Sequence, residues 1–152
     1  MPQILRTTLI DDEAHAASGT FNFDLPVNPL SAVLLTVKGL NIGGPGDNYD
    51  TANGLMDPVT NVRIAYRGAT IIEGSLEDLS IMFAALSHWQ PGFLIERDAD
   101  NQARAVTVPL CLGRKPYDPM ECFPATRRGD LIMQVTLALP DAQFDNIILQ
   151  AE

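Results

Sequence analysis

Positive charge is scarce in this sequence: ten Lys and Arg stand against nineteen Asp and Glu, a formal net charge of −9. Phosphate backbones are bound by clustered cations, so this balance argues against direct binding of DNA or RNA. It also favours water over an anionic membrane surface. Cysteine and histidine are rare, two residues each. Cys111 and Cys122 fit no zinc spacing, and their default state is two thiols in a reducing compartment. Long apolar runs are missing as well. The longest, Ile81 to Leu86, falls far short of the ~20 residues that cross a bilayer, so no membrane insertion is expected. Met1 to Ile10 holds one Arg and no apolar stretch of signal-peptide length, and Asp11, Asp12 and Glu13 follow at once. There is no Asn-x-Ser/Thr sequon.

Catalytic signatures are equally thin. No Gly-x-Ser-x-Gly elbow or His-Glu-x-x-His pair occurs. Gly43-Gly44-Pro45-Gly46 lacks the Gly-Lys-Ser/Thr ending that sets a lysine on a phosphate, and reads as a turn. Asp47-Asn48-Tyr49-Asp50 offers oxygen ligands for calcium but departs from the EF-hand order, and Asp and Asn are ordinary turn residues. His15 and His88 are far apart in sequence, too few for a cupin-type metal site. The expectation is a protein without enzymatic activity, cofactor or bound metal.

What is present is a strand pattern. The 152 residues suit one domain, residues 1–152, large enough to hold a core without disulfides or metal. Gln3 to Ile10 is β-rich. Thr20 to Leu25 alternates, with Phe21, Phe23 and Leu25 on one side, and Pro26, Asn28 and Pro29 stop it. Ala32 to Leu40 is mostly apolar. A loop of roughly twenty residues, Asn41 to Asn61, is long for a compact domain and suggests a functional or packing role. Val62 to Tyr66 and Ala69 to Glu73 flank the turn Arg67-Gly68 as a hairpin. Phe93 to Glu96, Ala105 to Leu112, Leu131 to Leu139 and Phe144 to Leu149 complete the strands, with a loop from Gly113 to Gly129.

One helix is predicted, Ser75 through His88. Ser75 stands as N-cap, with Glu77 and Asp78 at the positive end of the helix dipole. Leu76, Leu79, Met82, Phe83 and Leu86 fall at helical spacing, which predicts a buried face. Pro91-Gly92 ends it. About eight strands, many Gly/Pro turns and one inserted helix predict an all-β sandwich or barrel without βαβ alternation.

Two stretches carry a resemblance. Asn61 to Leu79 (NVRIAYRGATIIEGSLEDL) resembles the hairpin-then-helix signature of jelly-roll major coat proteins of tailless, icosahedral, membrane-containing viruses, the double-jelly-roll lineage. Val106 to Lys115 (VTVPLCLGRK) resembles their Ile-x-Leu-Pro-Leu-Gly-Arg-like strand end. Phe123 to Thr126, Gly129 to Leu131 and Val135 resemble the loop and strand that follow. The two stretches stand in the right order and span half the chain, Asn61 to Leu139. The length leaves room for one jelly roll, so the resemblance implies a single-jelly-roll coat subunit, half of a longer protein, or a minor vertex or spike protein.

The resemblance implies a jelly-roll β-sandwich that works by self-association and by contact with other capsid proteins. It implies synthesis in the host cytoplasm and residence in the virion, near a virion membrane. No catalytic residue carries over. Subunit contact is expected at the acidic Asp11 and Asp12, at Tyr49 of the long loop, and at the basic Arg114, Lys115, Arg127 and Arg128, with acidic arm meeting basic loop between subunits. The alternative is a β-sandwich binding module for carbohydrate or protein, with Tyr49 or Trp89 as a stacking surface.

Overall fold

Alternating burial, the mark of a strand packed on one face, runs through most of the chain. A computed structural model describes residues 6–42, 54–88, 91–95, 102–113, 118, 120–139, 141 and 144–152. Among these are nine strands: β1 (Ile10–His15), β2 (Gly19–Asp24), β3 (Ala32–Asn41), β4 (Val59–Tyr66), β5 (Ala69–Gly74), β6 (Gly92–Ile95), β7 (Ala103–Cys111), β8 (Leu131–Leu137) and β9 (Phe144–Ala151). One helix, α1 (Leu76–Ser87), lies between β5 and β6.

The strands form two antiparallel sheets, in the orders β1-β9-β3-β7-β6 and β2-β8-β4-β5. β1, β2 and β3 make no pair with one another. Each waits for a partner from late in the chain, and apart from the β4–β5 and β6–β7 hairpins the connections cross between sheets. That arrangement defines a jelly-roll sandwich. The core lies between the sheets. Val33, Leu35 and Val37 of β3, Val106, Val108 and Leu110 of β7, and Ile147 and Leu149 of β9 come from one side. Val62 and Ile64 of β4 and Leu131, Met133, Val135 and Leu137 of β8 come from the other. Each such side chain contributes roughly 1.5–3 kcal/mol of burial.

Bulges break the alternation in several strands, and two of them carry a left-handed residue. Ile10 and His15 both face inward although their parity differs, and the register slips between Ile10 and Glu13. Asp12 absorbs the extra residue at φ 46°. In β9 the buried positions change parity between Phe144 and Ile147 across Asn146, at φ 51°. Asp and Asn tolerate this left-handed backbone better than most residues do.

The strand expected at Gln3 to Ile10 is corrected. Residues 6–9 are not strand, although the Leu9 amide donates to Ala151 O at 2.7 Å, and β1 runs instead through the acidic stretch that follows. Its carboxylates can project to solvent because β1 is an edge strand. The long loop is shorter than expected at both ends. Asn41 belongs to β3, β4 starts at Val59, and Leu55 and Met56 are buried in the core. The expected hairpin is present: β4 and β5 pair around Arg67 and Gly68, both at positive φ, as a two-residue turn requires.

Helix α1 starts where the capping residues place it. Ser75 Oγ accepts from the Asp78 amide at 3.1 Å, and His88 closes the far end at φ 57° with its amide on Ala84 O. The helix connects one sheet to the other and packs against β7, β4 and β5. It buries Leu76, Leu79, Ser80 and Phe83. The expected burial of Met82 and Leu86 is corrected, since they are 40% and 65% exposed. A helix laid across a sandwich edge contacts it along one narrow stripe, and Ser80 takes the position that a wider apolar face would have used.

Candidate functional site

With no cluster of His, Cys, Asp or Glu able to hold a metal among the described residues, the surfaces themselves are the candidates. No helix of the described residues is long and apolar enough to cross a membrane.

The acidic candidates lie on β1. Asp11 and Asp12 are exposed, and Lys38 Nζ of β3 donates to Asp12 Oδ1 at 2.5 Å. Asp12 thus has a partner within its own chain. Its neighbour Glu13 lies 4.0 Å from Nε2 of His15, whose buried ring tilts against Phe21 with centroids 4.0 Å apart. The basic candidates Arg127 and Arg128 are exposed in the turn leading into β8. Arg128 Nε stands 4.0 Å from Asp24 Oδ2 at the end of β2. Tyr49, Arg114 and Lys115 lie outside the described residues, as do Trp89 and the Asp47-Asn48-Tyr49-Asp50 stretch.

Beside Arg127 and Arg128 is a tightly built corner. Arg67, held at φ 49°, gives Nε and Nη2 to Asp130 Oδ2 at 3.1 and 3.0 Å, and its amide donates to Asp130 O at 2.7 Å. Its guanidinium stands 5.1 Å from the centre of the Tyr66 ring, which meets Phe123 edge-on. The hydrogen bonds Arg67 donates to Asp130, then the charge of that carboxylate, raise the Arg67 pKa above its ordinary value. Arginine is protonated at all ordinary pH, so the shift marks the pair without adding pH dependence.

Three surface features carry no motif. First, α1 turns Ile81, Met82 and Leu86 to solvent, an apolar face of the sort that contacts cover. Secondly, the outer face of the four-stranded sheet carries a polar ladder. Gln134 joins Asn22 Oδ1 at 2.7 Å to Arg63 at 3.0 Å, and Arg63 Nε reaches Thr70 Oγ1 at 2.8 Å. Thirdly, β2 is the edge of that sheet. The sequence shows the strand at β2 but not its edge position, which depends on pairing with β8 more than a hundred residues later.

This architecture is the jelly-roll sandwich found in viral capsid proteins. Among solved structures, 95% of the chain matches the STIV MCP at TM-score 0.63 and 16% identity, and 99% matches PBCV-1 VP54, fitted into a reconstruction of the virophage Sputnik, at 0.56 and 11%. A quasi-atomic structure of the PBCV-1 virus capsid matches over 99% of the chain at 0.55 and 12%. The match takes up 46%, 43% and 44% of those chains, so this sequence spans less than half the length of each. No protein-family model and no curated protein matches the sequence.

Proposed function

We propose that the chain is a viral structural protein, a jelly-roll building block of an icosahedral shell. In this reading it is made in the host cytoplasm and works in the virion by contact with copies of itself and with other capsid proteins. The observation that carries the reading is the fold match, which takes in 95–99% of the chain. The outward face of α1 supports it, because Ile81, Met82 and Leu86 gain burial only from a neighbour. The charged candidates Asp11, Asp12, Arg127 and Arg128 would flank such contacts and set their register. Tyr49, Arg114 and Lys115 would add to them.

The test is light scattering with negative-stain microscopy on the purified chain, alone and with candidate partner coat proteins. Trimers, pseudo-hexamers or shells are expected. Ile81→Glu with Leu86→Glu should reduce assembly at least tenfold while leaving the fold intact, since both side chains are more than 60% exposed. A chain that stays monomeric under all these conditions, or one that binds glycans as a monomer, overturns the reading.

A further inference from the structure

The two sheets end in four edge strands, β1, β6, β2 and β5. An edge strand presents unpaired backbone groups and is usually blunted against pairing with another chain. Three of the four are blunted. β1 has a bulge, Asp12 at positive φ, and three consecutive carboxylates. β5 slips register between Ile64 and Ala65 of its partner strand. β6 is four residues long and follows Pro91.

β2 has none of these devices beyond a single carboxylate, Asp24, at its end. Its register with β8 is unbroken from Gly19 to Asp24, and the strand holds no proline, lysine or positive-φ residue. The Leu25 amide donates to Leu131 O at 3.0 Å. Backbone groups alternate direction along a strand, so those of Thr20, Asn22 and Asp24 point to the open edge. Among the described residues none of the three has a backbone partner there.

The sequence of this edge is its own antiparallel complement. Centred on Asn22, Thr-Phe-Asn-Phe-Asp placed against a second copy sets Thr20 opposite Asp24, Asn22 opposite Asn22 and Phe21 opposite Phe23. Thr20 Oγ1 lies 3.0 Å from Thr136 Oγ1; accepting there, it keeps its proton to donate to the Asp24 carboxylate of the second copy. Asn22 Oδ1 already accepts from Gln134, and its amide N–H2 remains to donate across the two-fold. Thr20, Asn22 and Asp24 form the hydrogen-bonded pairs, for about six inter-strand bonds. Phe21 and Phe23, both half-buried, fall at the closer non-hydrogen-bonded positions, where aromatic pairs gain most.

We infer that β2 is a self-pairing edge, joining two copies of this chain by antiparallel β2–β2 contact about a two-fold axis through Asn22. The contact makes one eight-stranded sheet from two four-stranded sheets. It rests on the edge geometry and not on the capsid reading. A single strand pair buries less than the ~1,200 Å² of stable complexes, so the dimer is weak. Two chains of charge −9 repel, so added salt strengthens it.

The test combines sedimentation velocity over a range of protein concentrations with amide hydrogen exchange. The wild-type mass should rise from 16.5 kDa toward twice that value, more readily at moderate than at low salt. The amides of Thr20, Asn22 and Asp24 should exchange more slowly as concentration rises. Asn22→Pro removes an outward-facing N–H, a change an edge strand accepts. Asn22→Lys keeps the N–H but sets two cations opposite each other at the axis. Each should weaken the dimer at least tenfold, and Asn22→Lys carries the test if the proline variant fails to fold. Concentration-independent exchange at the three amides, or a dimer that persists unchanged in Asn22→Lys, overturns the inference. Shells from Asn22→Lys together with a dimer that persists unchanged would leave the capsid reading standing and remove the edge contact alone.

Discussion

At Gly113 a single methyl group is too much. A Cβ there would stand 2.2 Å from the carbonyl oxygen of Glu121, a backbone atom that cannot rotate away. Gly113→Ala should therefore destabilise the fold by about 1–3 kcal/mol in denaturant melts. Phe83 and Leu86 make a sharper contrast, since both are large apolar residues of α1. Phe83 is buried and Leu86 is not, so Phe83→Ala should cost roughly 3–5 kcal/mol and Leu86→Ala less than about 1 kcal/mol. The two cysteines divide in the same way. Cys111 is buried and Cys122 half-exposed, and neither is in a disulfide. A thiol reagent should label Cys122 in the native protein and Cys111 only after denaturation. Intact mass without reductant should show no loss of two hydrogens.

Among the elements, α1 is the one whose start is written most plainly in sequence. Ser75 and Asp78 satisfy each other as well as the first turn, with Ser75 Oγ also donating to Asp78 Oδ2 at 2.7 Å. Ser75→Ala should lower stability by about 1 kcal/mol, measured by thermal or urea unfolding. The hairpin around Arg67 and Gly68 was equally legible, because strand, turn and strand are all local. β8 was legible because its alternation is unbroken. β1 was not, since the bulge at Asp12 destroys the period that would have marked it and its partner β9 lies at the other end of the sequence. The outward turn of Met82 and Leu86 was hidden for a related reason. Helical spacing shows which residues share a face, but not how wide a strip the neighbouring sheets leave open. Of the proposed contact residues, sequence marked the charged pairs. The free edge of β2 depends on sheet order, which no local pattern encodes.

For the whole molecule, net charge and local charge pull in opposite directions. A contact between the basic turn and the acids of β1 weakens as salt is added, whereas pairing through β2 strengthens. Arg127→Glu with Arg128→Glu, followed by light scattering at low and moderate salt, should reduce capsid-type assembly and flatten its salt dependence. Arg128 is almost fully exposed and only 4.0 Å from Asp24. If its role were confined to that pair, the change would cost under about 1 kcal/mol and leave assembly as it was. Unchanged affinity with the same salt slope would rule out the charged contact.

The interleaving of early and late strands also bears on how the molecule comes into being on the ribosome. β1 must wait for β9, β2 for β8, and β3 for β7 and β9. Until β7 emerges the nascent chain can close just one pairing, the β4–β5 hairpin, and only then can β6–β7 and β3–β7 form. Val33, Leu35 and Val37 of β3, fully buried in the finished molecule, spend that interval open to any passing apolar surface. Long-range strand pairing is slow and exposed to aggregation, so the yield of folded subunits would be set by how well the emerging chain is shielded until its last strands arrive.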